Sequence, residues 1–170
     1  MPGTDGSLYG TTSQGGNESC ATSVFGPLGC GTVFRITPEG ALTTLHRFDG
    51  TDGAEGVNCA PVQATNGIFY GATTLDGANG DGTLFSLSIG LRPFLETVPA
   101  SGKVGEQIDI LGSDLAAATG VTFNGTAAAF TVASGTLIEA TVPPGATSGE
   151  VEVVIPAGTL RSNTTFYVRE

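Results

Sequence analysis

Asp5-Gly-Ser-Leu-Tyr-Gly-Thr-Thr-Ser-Gln-Gly-Gly16 returns later in the chain as Asn66-Gly-Ile-Phe-Tyr-Gly-Ala-Thr-Thr-Leu-Asp-Gly77. Downstream of each copy, in the same order, Gly31-Thr-Val-Phe-Arg-Ile36 returns as Gly82-Thr-Leu-Phe-Ser-Leu87. An internal repeat outranks other signals, because each copy is one supersecondary unit that buries its apolar surface against a neighbour. The first element is offset by 61 residues and the second by 51, so the first copy carries ten extra. These fall in the segment that contains Cys20 and Cys30, which is therefore an insertion between strands.

Each matched element reads as a strand. Asp-Gly or Asn-Gly sets a tight turn, an aromatic or β-branched run follows, and Gly punctuates its end. Between the copies, Leu42, Thr44, His46 and Phe48 alternate with Thr43, Leu45 and Arg47, which predicts a further strand over 41–49 after the turn at Pro38-Glu39-Gly40. The unit is a meander of about four short strands over some 51 residues, the size of a propeller blade.

The string Gly-Thr-Val-Phe-Arg-Ile-Thr-Pro-Glu-Gly (31–40), then Leu-His-Arg-Phe-Asp-Gly-Thr-Asp-Gly-Ala (45–54), then Phe-Tyr-Gly-Ala-Thr-Thr (69–74) resembles a tandem repeat of secreted bacterial surface proteins. That resemblance covers roughly residues 5–90 and implies propeller-like arrays. Here there is one full unit (31–81) and two partial ones, whereas a closed propeller takes about four to eight blades. Open strand edges follow, at 31–37 and 82–88. Natural edges are blunted by Lys, Pro or bulges, yet Gly82–Ser88 carries no charge and the only Lys in the chain is Lys103.

After Gly90 the texture changes. Short strands are predicted at 105–111, 120–123, 127–133, 136–142, 149–155 and 164–168, with Gly or Pro at nearly every junction, including Asn124-Gly125 and Pro143-Pro144-Gly145. This spacing points to a β-sandwich. Pro99-Ala-Ser-Gly-Lys-Val-Gly-Glu-Gln-Ile-Asp-Ile-Leu-Gly112, Val121-Thr-Phe-Asn-Gly-Thr-Ala-Ala-Ala-Phe130 and Ile138-Glu-Ala-Thr-Val-Pro143 closely resemble an IPT/TIG domain, an immunoglobulin-like fold, from about Phe94 to Val168. The same fold serves dimerisation in Rel-type transcription factors, spacing in cell-surface receptors and accessory roles in starch-acting enzymes. The resemblance therefore implies an architecture and leaves function open. The expected fold is all-β: an incomplete propeller-like repeat module over 1–90, then an immunoglobulin-like sandwich over 91–170.

Composition agrees. The 170 residues include 27 Gly, no Trp and only 13% charged residues, which disfavours both disorder and helical bundles. The net charge of -10 comes from 16 acids against 6 bases, so neither half offers the basic face that nucleic acid or an anionic membrane demands. No stretch approaches the roughly 18 to 20 apolar residues of a membrane span. The cysteines and composition point to secretion, Met1 is read as a fragment boundary, and an export signal is expected upstream in the natural protein.

The candidate sites are few. Cys20 and Cys30 enclose a nine-residue loop that a disulfide would restrain, leaving Cys59 unpaired or joined to another chain; pairing of either with Cys59 is the alternative. His46 is the only histidine, and no Gly-x-Ser-x-Gly elbow accompanies it, so a rim position on a core strand is expected rather than catalysis. Asp49, Asp52 and Glu55 share one Gly-rich loop, and Asp76, Asn79 and Asp81 another. Turn chemistry accounts for both, since Asp and Asn suit tight turns; the competing expectation, and the only cofactor, is a weak structural calcium ion. Asn17, Asn124 and Asn163 fit the glycosylation pattern, with Asn124-Gly125 better read as a hairpin turn. Tyr9 and Tyr70 are the candidate aromatics for stacking on a sugar.

Two functions from different classes follow. The favoured expectation is a non-enzymatic structural or assembly protein of a bacterial surface. It would associate with itself, or with further blades of a parent protein, through open β edges, giving a head-to-tail filament if each copy completes the next. The alternative is a carbohydrate-binding accessory module.

Overall fold

The computed structural model describes residues 1–17, 28–54 and 60–170. They are all-β, the only helix being one 3-10 turn at Leu115–Ala117. The chain divides into two compact units, one of Met1–Ala64 with Ile68–Leu91, the other of Thr65–Gly67 with Arg92–Glu170.

The first unit holds two three-stranded antiparallel sheets. β1 (Leu8–Thr12), β2 (Thr32–Ile36) and β3 (Leu42–Arg47) pair in that order, and Pro2 bridges Leu8 on the outer side of β1. β4 (Val62–Gln63), β5 (Phe69–Ala72) and β6 (Leu84–Leu87) form the second sheet. The sequence repeat is a repeat of register. Tyr9 opposes Arg35 and Gly10 opposes Phe34 in one sheet, and Tyr70 opposes Ser86 and Gly71 opposes Phe85 in the other.

Hydrogen bonds repeat as well. The Thr32 N–H donates to Thr12 Oγ1 at 3.0 Å, as the Thr83 N–H does to Thr73 Oγ1 at 2.8 Å. Gly31 and Gly82 both have positive φ, and a Cβ on either would collide with the carbonyl of the facing threonine, Thr12 or Thr73, so no L side chain fits.

Two expectations about β3 are corrected. The strand ends at Arg47, and Phe48 turns inward to be buried. The register also slips, Phe34 facing Thr44 while Val33 faces His46, so Leu45 is the extra residue of a bulge. A bulge shifts the alternation by one. His46 consequently shares a face with Val33 and not with Leu42, which stays exposed.

The second unit is a sandwich of two four-stranded antiparallel sheets. Its strands are β7 (Glu96–Val98), β8 (Ser101–Lys103), β9 (Gln107–Leu111), β10 (Gly120–Phe123), β11 (Thr126–Ala127), β12 (Phe130–Ser134), β13 (Leu137–Thr141), β14 (Val151–Ile155), β15 (Gly158–Arg161) and β16 (Tyr167–Arg169). One sheet runs β11-β10-β14-β15, the other β12-β13-β9-β7, and β16 pairs in parallel with β8.

Period-two alternation builds the core of this unit. Val151, Val153 and Ile155 of β14 and Val121 and Phe123 of β10 meet Ile108, Ile110, Ile138 and Ala140 of the opposite sheet. Asn124 and Gly125 both have positive φ, as a two-residue hairpin turn requires.

The predicted strand over 127–133 is divided: β11 stays with β10, and β12 crosses to the other sheet to pair with β13. The strand predicted at 164–168 lies at Tyr167–Arg169. β15 was not expected; Arg161 on it forms ion pairs with Glu150 and Glu152.

Candidate functional site

The two repeat sheets stack through aromatic rings. Tyr9 packs on Phe69 with ring centroids 4.2 Å apart, and Phe48 meets Phe85 at 5.4 Å. A polar clasp adds to this: the Thr4 N–H donates to Gln63 Oε1 at 2.9 Å and Gln63 Nε2 donates back to Thr4 Oγ1 at 3.0 Å.

Tyr9 is only 2% exposed, so it has no free face for a sugar, and that expectation is corrected: it fills the core. Its phenol donates to Asp5 Oδ2 at 2.8 Å. Burial raises the phenol above its ordinary range and the Asp5 carboxylate raises it further, while the Arg35 guanidinium opposes both. For Asp5, burial alone would raise the carboxyl, but the bonds it accepts from Tyr9 and Ser7 prevail and hold it below its ordinary value. Tyr70, the counterpart of Tyr9, is 44% exposed on the outer face of its sheet.

The two acidic loops lie side by side. Ala54 and Leu75 form an antiparallel bridge, and the Gly77 N–H donates to the Gly50 carbonyl at 2.9 Å. Asp49 Oδ1 accepts from the Thr51 N–H and hydroxyl at 2.9 and 2.7 Å, and these bonds, the hydroxyl first, hold its carboxyl below the ordinary range. Asp52 Oδ1 accepts from the Asp49 N–H at 2.9 Å and its Oδ2 lies 2.6 Å from His46 Nε2.

Asp49 therefore serves the loop itself, and Asp52 ties the loop to His46 on β3. Asp76, with positive φ, bridges Asp81 across a turn that contains Asn79. Glu55 lies outside the described residues. Among the described residues no three acidic, histidine or cysteine side chains converge as a metal site requires.

His46 and Asp52 stand at a cavity of about 190 Å³ whose apolar lining includes Val33, Phe48, Phe85 and Leu87. The bulge in β3 turns His46 towards it, a feature that alternation alone could not reveal. Cys30 is fully buried and is a partnered residue, not a free one. Cys20 and Cys59 lie outside the described residues.

In the second unit, an open groove of about 420 Å³ is lined by Arg92, Pro93, Asp114, Ile155 and Leu160 among others. It gathers Arg92 and Asp114 with the hydroxyl residues Ser113 and Thr159 among apolar side chains.

Residues 94–168 match the family model of the IPT/TIG domain, whose fold is immunoglobulin-like. Such domains occur in extracellular and surface proteins and mediate interactions. No curated protein matches the chain. Among the described residues no helix is long and apolar enough to cross a membrane.

Proposed function

We propose that this is a non-enzymatic structural protein of a bacterial exterior, in which the repeat unit assembles through unpartnered β surface and the IPT/TIG unit spaces or projects it. The observation that carries the reading is the outer edge of β6. Its counterpart β2 is covered by β3, whereas β6 has no strand on its outer side among the described residues.

The Thr73 N–H donates to the Thr83 carbonyl, so by antiparallel alternation the main-chain groups of Leu84 and Ser86 point outward. Leu84 and Ser86 correspond to Val33 and Arg35, which in the first sheet face β3. An incoming strand would satisfy those groups with main-chain bonds. A disulfide between Cys20 and Cys30 is proposed as part of the same extracellular reading, with Cys59 left to stay single or to link chains.

The test is the mass of the protein in solution over a concentration series, with and without reductant. Growth beyond the monomer that Ser86→Pro suppresses supports the reading. Proline removes one outward N–H and is tolerated on an edge. A monomer at every concentration contradicts it. The exposure of Tyr70 favours a second reading, a carbohydrate-binding accessory module; glycan binding lost in Tyr70→Ala, without oligomers, would prefer it.

A further inference from the structure

The two repeat sheets stack by unlike faces. In the first sheet Tyr9 and Val33 share one face, and Leu8 and Phe34 the other; in the second their counterparts are Tyr70 and Leu84 against Phe69 and Phe85. The tyrosine face of the first sheet is pressed on the phenylalanine face of the second. Val33 is 1% exposed in a cluster to which Phe85 and Leu87 add, and Phe69 is fully buried under Tyr9.

One face of each kind is left over. On the second sheet Leu84 is 90% exposed, beside Tyr70 and the exposed Val62 that opposes Tyr70. On the first sheet Leu8 is 53% exposed, where its counterpart Phe69 is buried. Val62, Tyr70, Ala72, Leu84 and Ser86 on one face and Leu8, Gly10, Phe34 and Ile36 on the other carry no charge, and Arg47, opposite Thr32 at the end of β3, is the charge that borders the second.

Because the molecule already shows how a face of one kind covers a face of the other, we propose that the Val62–Tyr70–Leu84 face binds the Leu8–Phe34 face of a second copy, repeating the internal stack between chains. The contact joins different surfaces of the two copies, so it propagates as a ring or an open chain. This rests on the assembly reading and names its partner and surface, shifting the main contact from the sheet edge to the sheet face.

The experiment uses Leu8→Glu and Leu84→Glu, both at exposed positions where substitution leaves the monomer folded. Wild type forms larger species as concentration rises, and each variant alone stays at the 17.0 kDa monomer mass. Mixing the two restores a 1:1 dimer of twice that mass, because each retains the face the other needs.

Variants that assemble as wild type does overturn the face contact, and if Ser86→Pro then blocks assembly the edge reading survives without it. Variants blocked singly that form no dimer when mixed also overturn it. A wild type that stays monomeric overturns both.

Discussion

Gly10 and Gly71 show how far a single residue can be read. A Cβ on Gly10 would lie 2.5 Å from Phe34 Cζ, and one on Gly71 would press into the Phe85 ring in the same way. The phenylalanines differ in freedom. Phe85 is held by Phe48, whereas Phe34 sits on the uncovered face. Gly71→Ala is therefore expected to cost about 1–3 kcal/mol in urea unfolding, the usual range for overpacking, and Gly10→Ala clearly less; equal costs would show that Phe85 is free to swing away.

Tyr9 and Tyr70 carry the opposite lesson. They occupy the same place in the repeat, and only the stacking of one sheet on the next makes the first core and the second surface, which no local pattern records. Asp5 supplies a pH test. Its carboxyl is held below the ordinary value in the fold, so the stability it contributes is present above the usual carboxylate range and is lost as pH falls through the lowered value. Asp5→Asn, the residue that the second copy carries at position 66, is expected to flatten the acid limb of a thermal-stability profile. An unchanged limb would remove Asp5 from the account.

At the scale of elements, the Gly-bounded strands of the repeat and the alternating strands β9, β10, β13 and β14 were legible because burial on one face imposes period two. What was not legible has local causes. The bulge at Leu45 depends on the partner strand, and β12 leaves the sheet of β11 only because β13 offers an edge. β15 follows Pro156-Ala157 and has no buried residue to mark it.

The acidic loops were legible as turns. Asp49 Oδ1 and both Asp52 oxygens are engaged by the Thr51, Asp49 and His46 groups, so exchanging a chelator for calcium is expected to leave the melting temperature unchanged. A rise of several degrees would give the Asp76–Asp81 turn an ion. Arg161 pairs with Glu150 and Glu152 at the surface, and Arg161→Ala is expected to cost no more than about 1 kcal/mol.

For the whole molecule, two opposing terms govern assembly. The net charge of -10 makes copies repel, whereas the two leftover faces are mainly apolar, with Arg47 at the border of one. Salt screens the first term, with a Debye length near 10 Å at 0.1 M, and leaves the second in place. Association is accordingly expected to strengthen from low to moderate ionic strength, and weakening would point to ion pairs in the contact.

The change of texture after Gly90 stands just before the IPT/TIG match begins, at residue 94. The open faces were not legible in the sequence, since a face is open only by comparison with a covered equivalent. Sedimentation velocity of the wild-type chain over a wide concentration range is the most direct test. Species heavier than the 17.0 kDa monomer that grow with concentration under reducing conditions are expected, and a single monomeric boundary throughout would contradict assembly through the repeat unit.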